Sequence, residues 1–258
     1  MVDIFAEVKR MAMYARFAAL YDQLMDDVDY PAWAGYYLRL LARKRPLPKT
    51  LADAACGTGR MAIQFARKGI RVTASDLSEE MVAVAAENAR KNGVIMACVR
   101  QDMRNLTLPR PVEAITACCD GVNYLTDMDK AAEFFAAAHR NLKPGGVLAF
   151  DISSRYKLEQ ILGDRFYGED RDEVTYLWQN SYDAATRIVT MDLSFFVKEQ
   201  DDLYRRFEEI HLQRAHDPEE ITGALAVAGF SEIEVFGDRT FDPPTETSER
   251  LHFLAVKR

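Results

Sequence analysis

An α/β fold is expected from this sequence: a doubly wound, mostly parallel seven-stranded sheet, an N-terminal helical segment and an inserted antiparallel lid. Two observations carry the expectation. From Thr50 to Ile152, short apolar segments alternate with helix-length amphipathic ones, each bounded by glycine or proline. After Ile152 that alternation stops, and three strand-like segments follow with no helix long enough for a crossover. Alternating strands and helices specify parallel βαβ units with both sheet faces covered, whereas consecutive strands specify antiparallel pairing.

The elements follow in order. Residues 3–44 carry a helical pattern, with Tyr14, Phe17, Ala18, Tyr21, Leu24, Met25 and Val28 at three- and four-residue steps, until Pro46 and Pro48 break it. Thr50–Ala55 reads as the first strand and Arg60–Lys68 as the helix after it, closed by Gly69. Arg71–Ser75 is the second strand, and Ser78 is a suitable N-cap for a helix running to Asn92, closed by Gly93. Val94–Arg100 and Val112–Cys119 are the third and fourth strands, with Cys118 and Cys119 expected on opposite faces of the latter. A helix over Lys130–Asn141 leads through Pro144, Gly145 and Gly146 into the fifth strand, Val147–Ile152. Val174–Asn180, Arg187–Val197 and Leu203–Arg214 make the antiparallel insertion. A helix from Asp217 to Ala228 and strands at Glu232–Phe236 and Leu251–Lys257 close the chain. The organisation expected is therefore a cap over 1–47, a core from 48–164 and 215–258, and a lid over 165–214 above the sheet's carboxyl edge, where open α/β sheets bind ligands.

Composition narrows the function. The 258 residues are 48% hydrophobic and 28% charged, with a net charge of −7, which argues against a protein mainly gripping a phosphate backbone. The run Arg39, Arg43, Lys44, Arg45 and Lys49 is the one feature favouring nucleic acid; a solvated helix end is its plainer meaning. Four cysteines form no C-x-x-C pair, so neither a zinc framework nor a disulfide scaffold is expected. With no basic, apolar leader and no apolar run approaching about 20 residues, a soluble cytoplasmic protein is expected.

The chemistry concentrates in Asp53-Ala54-Ala55-Cys56-Gly57-Thr58-Gly59-Arg60. Glycine is needed where the chain takes positive φ or where a ligand lies on the backbone. Gly57-x-Gly59-x-x-Ala62 also meets the dinucleotide fingerprint, so the glycines alone leave NAD(P) and S-adenosylmethionine (SAM) both open. Three carboxylates favour the latter. Asp76 ends the second strand, where it can take both hydroxyls of a ribose. Asp102 ends the third, where it can accept from an adenine amino group. Asp53 precedes the glycines, where an added anion suits a cationic methionine moiety better than a pyrophosphate. A carbonyl-polarising Tyr-x-x-x-Lys pair is absent from the sequence.

Together with Leu142-Lys143-Pro144-Gly145-Gly146, these motifs resemble the ordered signature of class I SAM-dependent methyltransferases over residues 50–152. That resemblance implies a Rossmann-like fold with SAM as cofactor. Gly57 and Gly59 would lie against the methionine and ribose, with Asp53 supporting the loop and Cys56 and Arg60 beside it. Asp76, with Leu77, would hold the ribose diol, and Asp102 and Met103 the adenine. The segment Cys119–Tyr124 would face the transferred methyl. Ala55-Cys56 departs from the more frequent Gly-Cys. The flanks, Tyr14, Tyr21-Asp22, Asp120-x-x-Asn123-Tyr124-Leu125 and Ser248-Glu249-Arg250-x-x-Phe253, resemble bacterial small-molecule methyltransferases related to amino-sugar N-methyltransferases.

Methyl transfer from a sulfonium needs alignment more than a nucleophile, and orientation can contribute roughly 7–11 kcal/mol. Three residues are catalytic candidates. Tyr14 could face the sulfonium by cation–π attraction, as could Tyr21 among the cofactor contacts, at about 0.5–2 kcal/mol, though both also suit core packing. Asp120 sits at a strand end, or is a loop carboxylate only. His211 shares one strand face with Glu209 and Gln213 and is the best base candidate if that face covers the site; otherwise it is a surface histidine. No metal spacing such as H-E-x-x-H occurs. The function expected is methyl transfer to N or O of a small-molecule acceptor. An RNA or protein acceptor is the alternative, and an NAD(P)-dependent oxidoreductase or a non-enzymatic SAM-binding module stands further off.

Overall fold

The computed structural model describes residues 18, 20–22, 24–199 and 203–258. The chain forms helix α1 (Tyr30–Leu41), then β1 (Thr50–Ala54), α2 (Arg60–Arg67), β2 (Arg71–Asp76), α3 (Glu79–Lys91), β3 (Ala97–Arg100), β4 (Val112–Ala117), α4 (Met128–Asn141) and β5 (Leu142–Ser153). The strands β6 (Phe166–Asp170), β7 (Val174–Asp183), β8 (Ile188–Lys198) and β9 (Tyr204–Arg214) follow, then α5 (Pro218–Val227), β10 (Phe230–Gly237) and β11 (Arg250–Lys257). Local chemistry fixes the helix starts. Asp29 caps α1 through Ala32 N (2.9 Å) with Pro31 in its first turn, Ser78 Oγ caps α3 through Met81 N (3.1 Å), and Asp127 caps α4 through Lys130 N (2.9 Å). The helical pattern of residues 3–44 is therefore not continuous: turn residues at 25–27 and the Asp29 cap separate α1 from the helical residues before it.

The main sheet is Rossmann-like, in the order β10-β11-β5-β4-β1-β2-β3, parallel throughout except for β11. Its direction of winding reverses between β1 and β4, and at such a switch point the loops diverge and leave a crevice at the carboxyl edge. One face is covered by a core containing Phe134, Phe135, Phe150, Phe253 and Ile221; the other holds Tyr36, Tyr37, Leu40, Leu51 and Phe65. Phe150 and Phe253 stack at 4.9 Å across the β5–β11 pair.

The second sheet, β6-β7-β8-β9, is wholly antiparallel and inserted between β5 and α5. Its inner face carries Val174, Phe195 and Phe207, which pack with Leu20, Tyr21, Leu24 and Met81, so the insertion rests on the chain segment before α1 and on α3. The strand β6 escapes a pattern-based reading because, as an exposed edge strand with Gly168, Glu169 and Asp170, it carries little of the apolar alternation that marks a buried one. The basic run is held by the fold: Arg43 and Lys44 pair with Glu234, Lys44 also with Glu232, and Arg45 donates to Gly145 O. Among the described residues no helix is long and apolar enough to cross a membrane.

Candidate active site

The site is built on the carboxyl edge on both sides of the switch point. After β1 the chain turns into α2 through Ala55 (φ 52°), Gly57 (φ 53°) and Gly59 (φ 78°). The two glycines serve different ends. A Cβ on Gly57 would meet nothing within 4 Å, so its backbone faces open space, whereas one on Gly59 would press on Ala85 Cβ at 3.0 Å and Met96 Cε at 3.1 Å. Gly57 presents open backbone to the cavity, and Gly59 permits close packing on α3. Asp76, at the end of β2, accepts from Gly57 N (2.8 Å) and Ser78 N (3.0 Å), so one carboxylate ties the loop tip to the start of α3. Asp22 braces the same loop from outside, accepting from Thr58 Oγ1 (2.7 Å) and Asn88 Nδ2 (2.8 Å).

Asp53 lies beneath this loop, fully buried. Its Oδ1 accepts from Thr116 Oγ1 at 2.6 Å, and Oδ2 has no hydrogen-bond partner. Burial raises its pKa to about 7, against the lowering effect of Thr116. The unfolded chain ionises this group near pH 4, while the native state holds the proton to about pH 7, so its contribution to stability is complete at acid pH and is lost as pH rises through that window. Asp53→Asn is therefore expected to flatten the fall in melting temperature between pH 5 and pH 8, read by thermal melts at several pH values. An unchanged slope would place the titration elsewhere.

Across the switch point, Cys119 (φ 63°) and Asp120 (φ 59°) form a left-handed corner after β4. That corner follows the end of β4 at Ala117, so the opposite-face arrangement expected for Cys118 and Cys119 within a strand does not arise. The corner is held by Asp151 of β5, fully buried, which accepts from Cys119 N (2.8 Å), Asp120 N (3.0 Å), Tyr37 Oη (2.6 Å) and the Arg250 guanidinium. Burial opposes its charge, yet Arg250 and its other partners hold the carboxyl below the ordinary range. Arg250 also reaches Asp120 Oδ2 (3.3 Å), which Ser153 Oγ contacts at 3.1 Å; burial nonetheless raises the Asp120 pKa.

The next turn, Gly121–Tyr124, is pinned by Asn123. Its Nδ2 donates to Ser153 O (3.0 Å) and Arg214 O (2.9 Å), and its Oδ1 accepts from Ser153 N (2.9 Å). The turn thereby joins the end of β5 to the end of β9 and delivers Tyr124 to His211. Tyr124 Oη lies 3.1 Å from His211 Nδ1, the rings edge-on at 5.8 Å. Burial lowers the His211 pKa below 6.5 and raises that of Tyr124. As the two-residue period requires, Glu209 and Gln213 are buried beside His211, while Ile210 is 62% exposed.

These groups surround one cavity of about 1600 Å³ that runs from the β1–β3 edge to the underside of the antiparallel sheet. Tyr21, Gly57, Asp76, Leu77, Asp102, Met103, Asp120 and His211 all line it. Asp102 does so with its carboxylate engaged by Arg104 at 2.5–3.1 Å, which keeps its pKa low. Asp53, Cys56, Gly59 and Arg60 stand behind the wall. Cys56 donates to Gly57 O, and the Arg60 guanidinium lies over the Tyr30 ring at 5.2 Å and 3.8 Å from Asp22. Tyr14 lies outside the described residues. Asp151 and the role of Arg250 were missed by sequence reasoning, although an aspartate within Leu148-Ala149-Phe150-Asp151-Ile152 is the kind of buried carboxylate that demands a partner.

Comparison with known proteins agrees with this geometry. The family described as "Methyltransferase domain" matches residues 51–146. The YqeM protein of Bacillus subtilis (strain 168), which carries a methyltransferase name, is 36% identical over 246 residues, covering 95% of this chain and 97% of that protein. The crystal structure of a S-adenosylmethionine-dependent methyltransferase from Clostridium acetobutylicum ATCC 824 superposes with a TM-score of 0.85 at 34% identity, covering 95% of this chain and 98% of that one. The dTDP-3-amino-3,4,6-trideoxy-alpha-D-glucopyranose N,N-dimethyltransferase of Streptomyces venezuelae is 26% identical over 204 residues, 78% of this chain and 83% of that enzyme.

Proposed function

The chain belongs to the S-adenosylmethionine-dependent methyltransferases, and on that footing we propose that it methylates N or O of a small-molecule acceptor held under the antiparallel sheet. The cavity carries the proposal. At about 1600 Å³ it exceeds the range of roughly 300–1000 Å³ usual for one ligand, which leaves room for cofactor and acceptor together. The Streptomyces venezuelae enzyme named above is, by its name, a dimethyltransferase of a dTDP-linked amino sugar, which supports a small-molecule acceptor.

The residues at the β1–β3 edge fit the cofactor. Gly57 offers an open backbone face, Asp76 and Leu77 line the wall beside it, and Asp53, which holds its proton to about pH 7, lies buried beneath the loop. Gly57, Asp76, Leu77, Asp102 and Met103 would hold it, with Tyr21 covering and Asp120 beside the methionine end. Bound there, SAM supplies a methyl carbon activated by a sulfonium. The rest of the work falls to the chain. The antiparallel sheet acts as a lid that excludes water, and the corner at Cys119–Asp120 fixes the approach of the acceptor atom. His211, neutral at physiological pH because burial lowers its pKa, takes the proton the acceptor loses, with Tyr124 Oη, 3.1 Å from its Nδ1, holding the ring in place.

Labelled methyl transfer from SAM into a panel of amines, amino sugars and hydroxylated aromatics, with bulk tRNA as a separate arm, tests this reading. Label in a small molecule is expected; label in tRNA alone would sink it. With that acceptor, His211→Ala is expected to lower kcat about 10²–10⁴-fold. Its affinity for S-adenosylhomocysteine should be unchanged by calorimetry. The wild-type kcat should stay level to below pH 6.5, following the lowered histidine.

A further inference from the structure

Five Lys and Arg side chains line the large cavity, and four are engaged. Arg100 pairs with Glu79 (3.3 Å), Arg104 with Asp102 (2.5 Å), Lys130 with Asp127 (2.7 Å), and Arg250 with Asp120 and Asp151. The fifth is Lys157. Among the described residues its ammonium makes no hydrogen bond and no ion pair within 4 Å. Asp120, Glu249 and Asp151 are near enough to favour its charge, but none lies within ion-pair distance, and the side-chain bonds Asp120 accepts come from Ser153 and Arg250. An ammonium carries three donors, and in a partly buried place donors without acceptors are costly.

Its setting is rigid. Lys157 opens a π-helical turn, Lys157–Leu162, shortly after β5, and its backbone N donates to Ser154 Oγ at 3.0 Å. The next residue, Leu158, is fully buried against Val189, Met191 and Ala215, with Leu162, Trp178 and Leu193 packed around them. The side chain thus stands where the apolar underside of the lid meets the polar corner of Asp120. Burial and Arg250 hold its pKa below the usual lysine range, against the pull of Asp120, Glu249 and Asp151.

Resting on the methyl-transfer reading, we infer that Lys157 is the anchor for an oxyanion on the acceptor, a carboxylate or a phosphate, whose apolar body lies on Trp178, Met191 and Leu193. One lysine is a point charge with rotatable donors and suits either oxyanion. The acceptor is therefore an acid bearing a nucleophilic nitrogen or oxygen, not a neutral or purely cationic compound.

The test uses the full chain saturated with S-adenosylhomocysteine, titrated calorimetrically with benzoate and, separately, with inorganic phosphate. At least one is expected to bind, benzoate pointing to a carboxylate and phosphate to a phosphate ester. Lys157→Met should weaken that binding about tenfold or more, while Lys157→Arg retains most of it. S-adenosylhomocysteine affinity in both variants should match the wild type, which also certifies that they fold. Binding of neither anion, or binding undiminished in Lys157→Met, overturns the anchor alone. Failure of the wild type to bind S-adenosylhomocysteine overturns the methyl-transfer reading and the anchor with it.

Discussion

Arg250→Met is expected to destabilise the protein by about 3–5 kcal/mol, because it leaves Asp151 charged and fully buried without its cation. The neutral donors Tyr37, Cys119 N and Asp120 N remain, so part of the carboxylate's solvation survives, and the lower end of that range is the better guide. The damage should be reversible by neutralising the partner. In Arg250→Met/Asp151→Asn, a second substitution should restore stability rather than add to the loss, a coupling that urea melts of the two single variants and the double variant will resolve. A loss below about 1 kcal/mol in Arg250→Met would mean that Asp151 holds the corner without the arginine.

Asp76→Ala should weaken S-adenosylhomocysteine binding about a hundredfold or more. The carboxylate accepts from Gly57 N and Ser78 N, so its removal loosens the loop tip and the start of α3 together. It also removes the acceptor assigned to the ribose hydroxyls, and hydrogen bonds to a charged group contribute roughly 1.5–3 kcal/mol each. Asp76→Asn should fall between wild type and alanine, since its amide retains one acceptor oxygen and turns a second donor toward a backbone N–H. Equal affinities in wild type and Asp76→Ala, measured by calorimetry, would remove Asp76 from the cofactor's contacts.

What could be read from the residues depended on how local the physics is. Glycines, caps and alternation act over a few residues, so the parallel strands and the loop from Asp53 to Arg60 were legible. The same holds for the shared face of Glu209, His211 and Gln213, which the structure turns inward. The break before α1 was legible in principle, since Asp29 followed by Pro31 is a helix start, but the apolar spacing on either side disguised it. The Asp151–Arg250 pair was not legible, because its members are 99 residues apart and meet only when β11 pairs with β5. Nor was the Tyr124–His211 contact, which depends on Asn123 bridging β5 and β9. The engagement of Asp102 by Arg104 is short-range, but its geometry depends on the turn at Met103–Asn105.

The cofactor is expected to occupy the β1–β3 edge of the cavity and to leave the space under β7–β9 to the acceptor. Amide hydrogen exchange with and without S-adenosylhomocysteine distinguishes the two halves of the cavity. Slower exchange at Gly57, across Leu77–Met81 and at Met103–Arg104, with β8 and β9 changed little, is the predicted result. Protection confined to β8 and β9, with the glycine loop and the end of β2 unaffected, would contradict it.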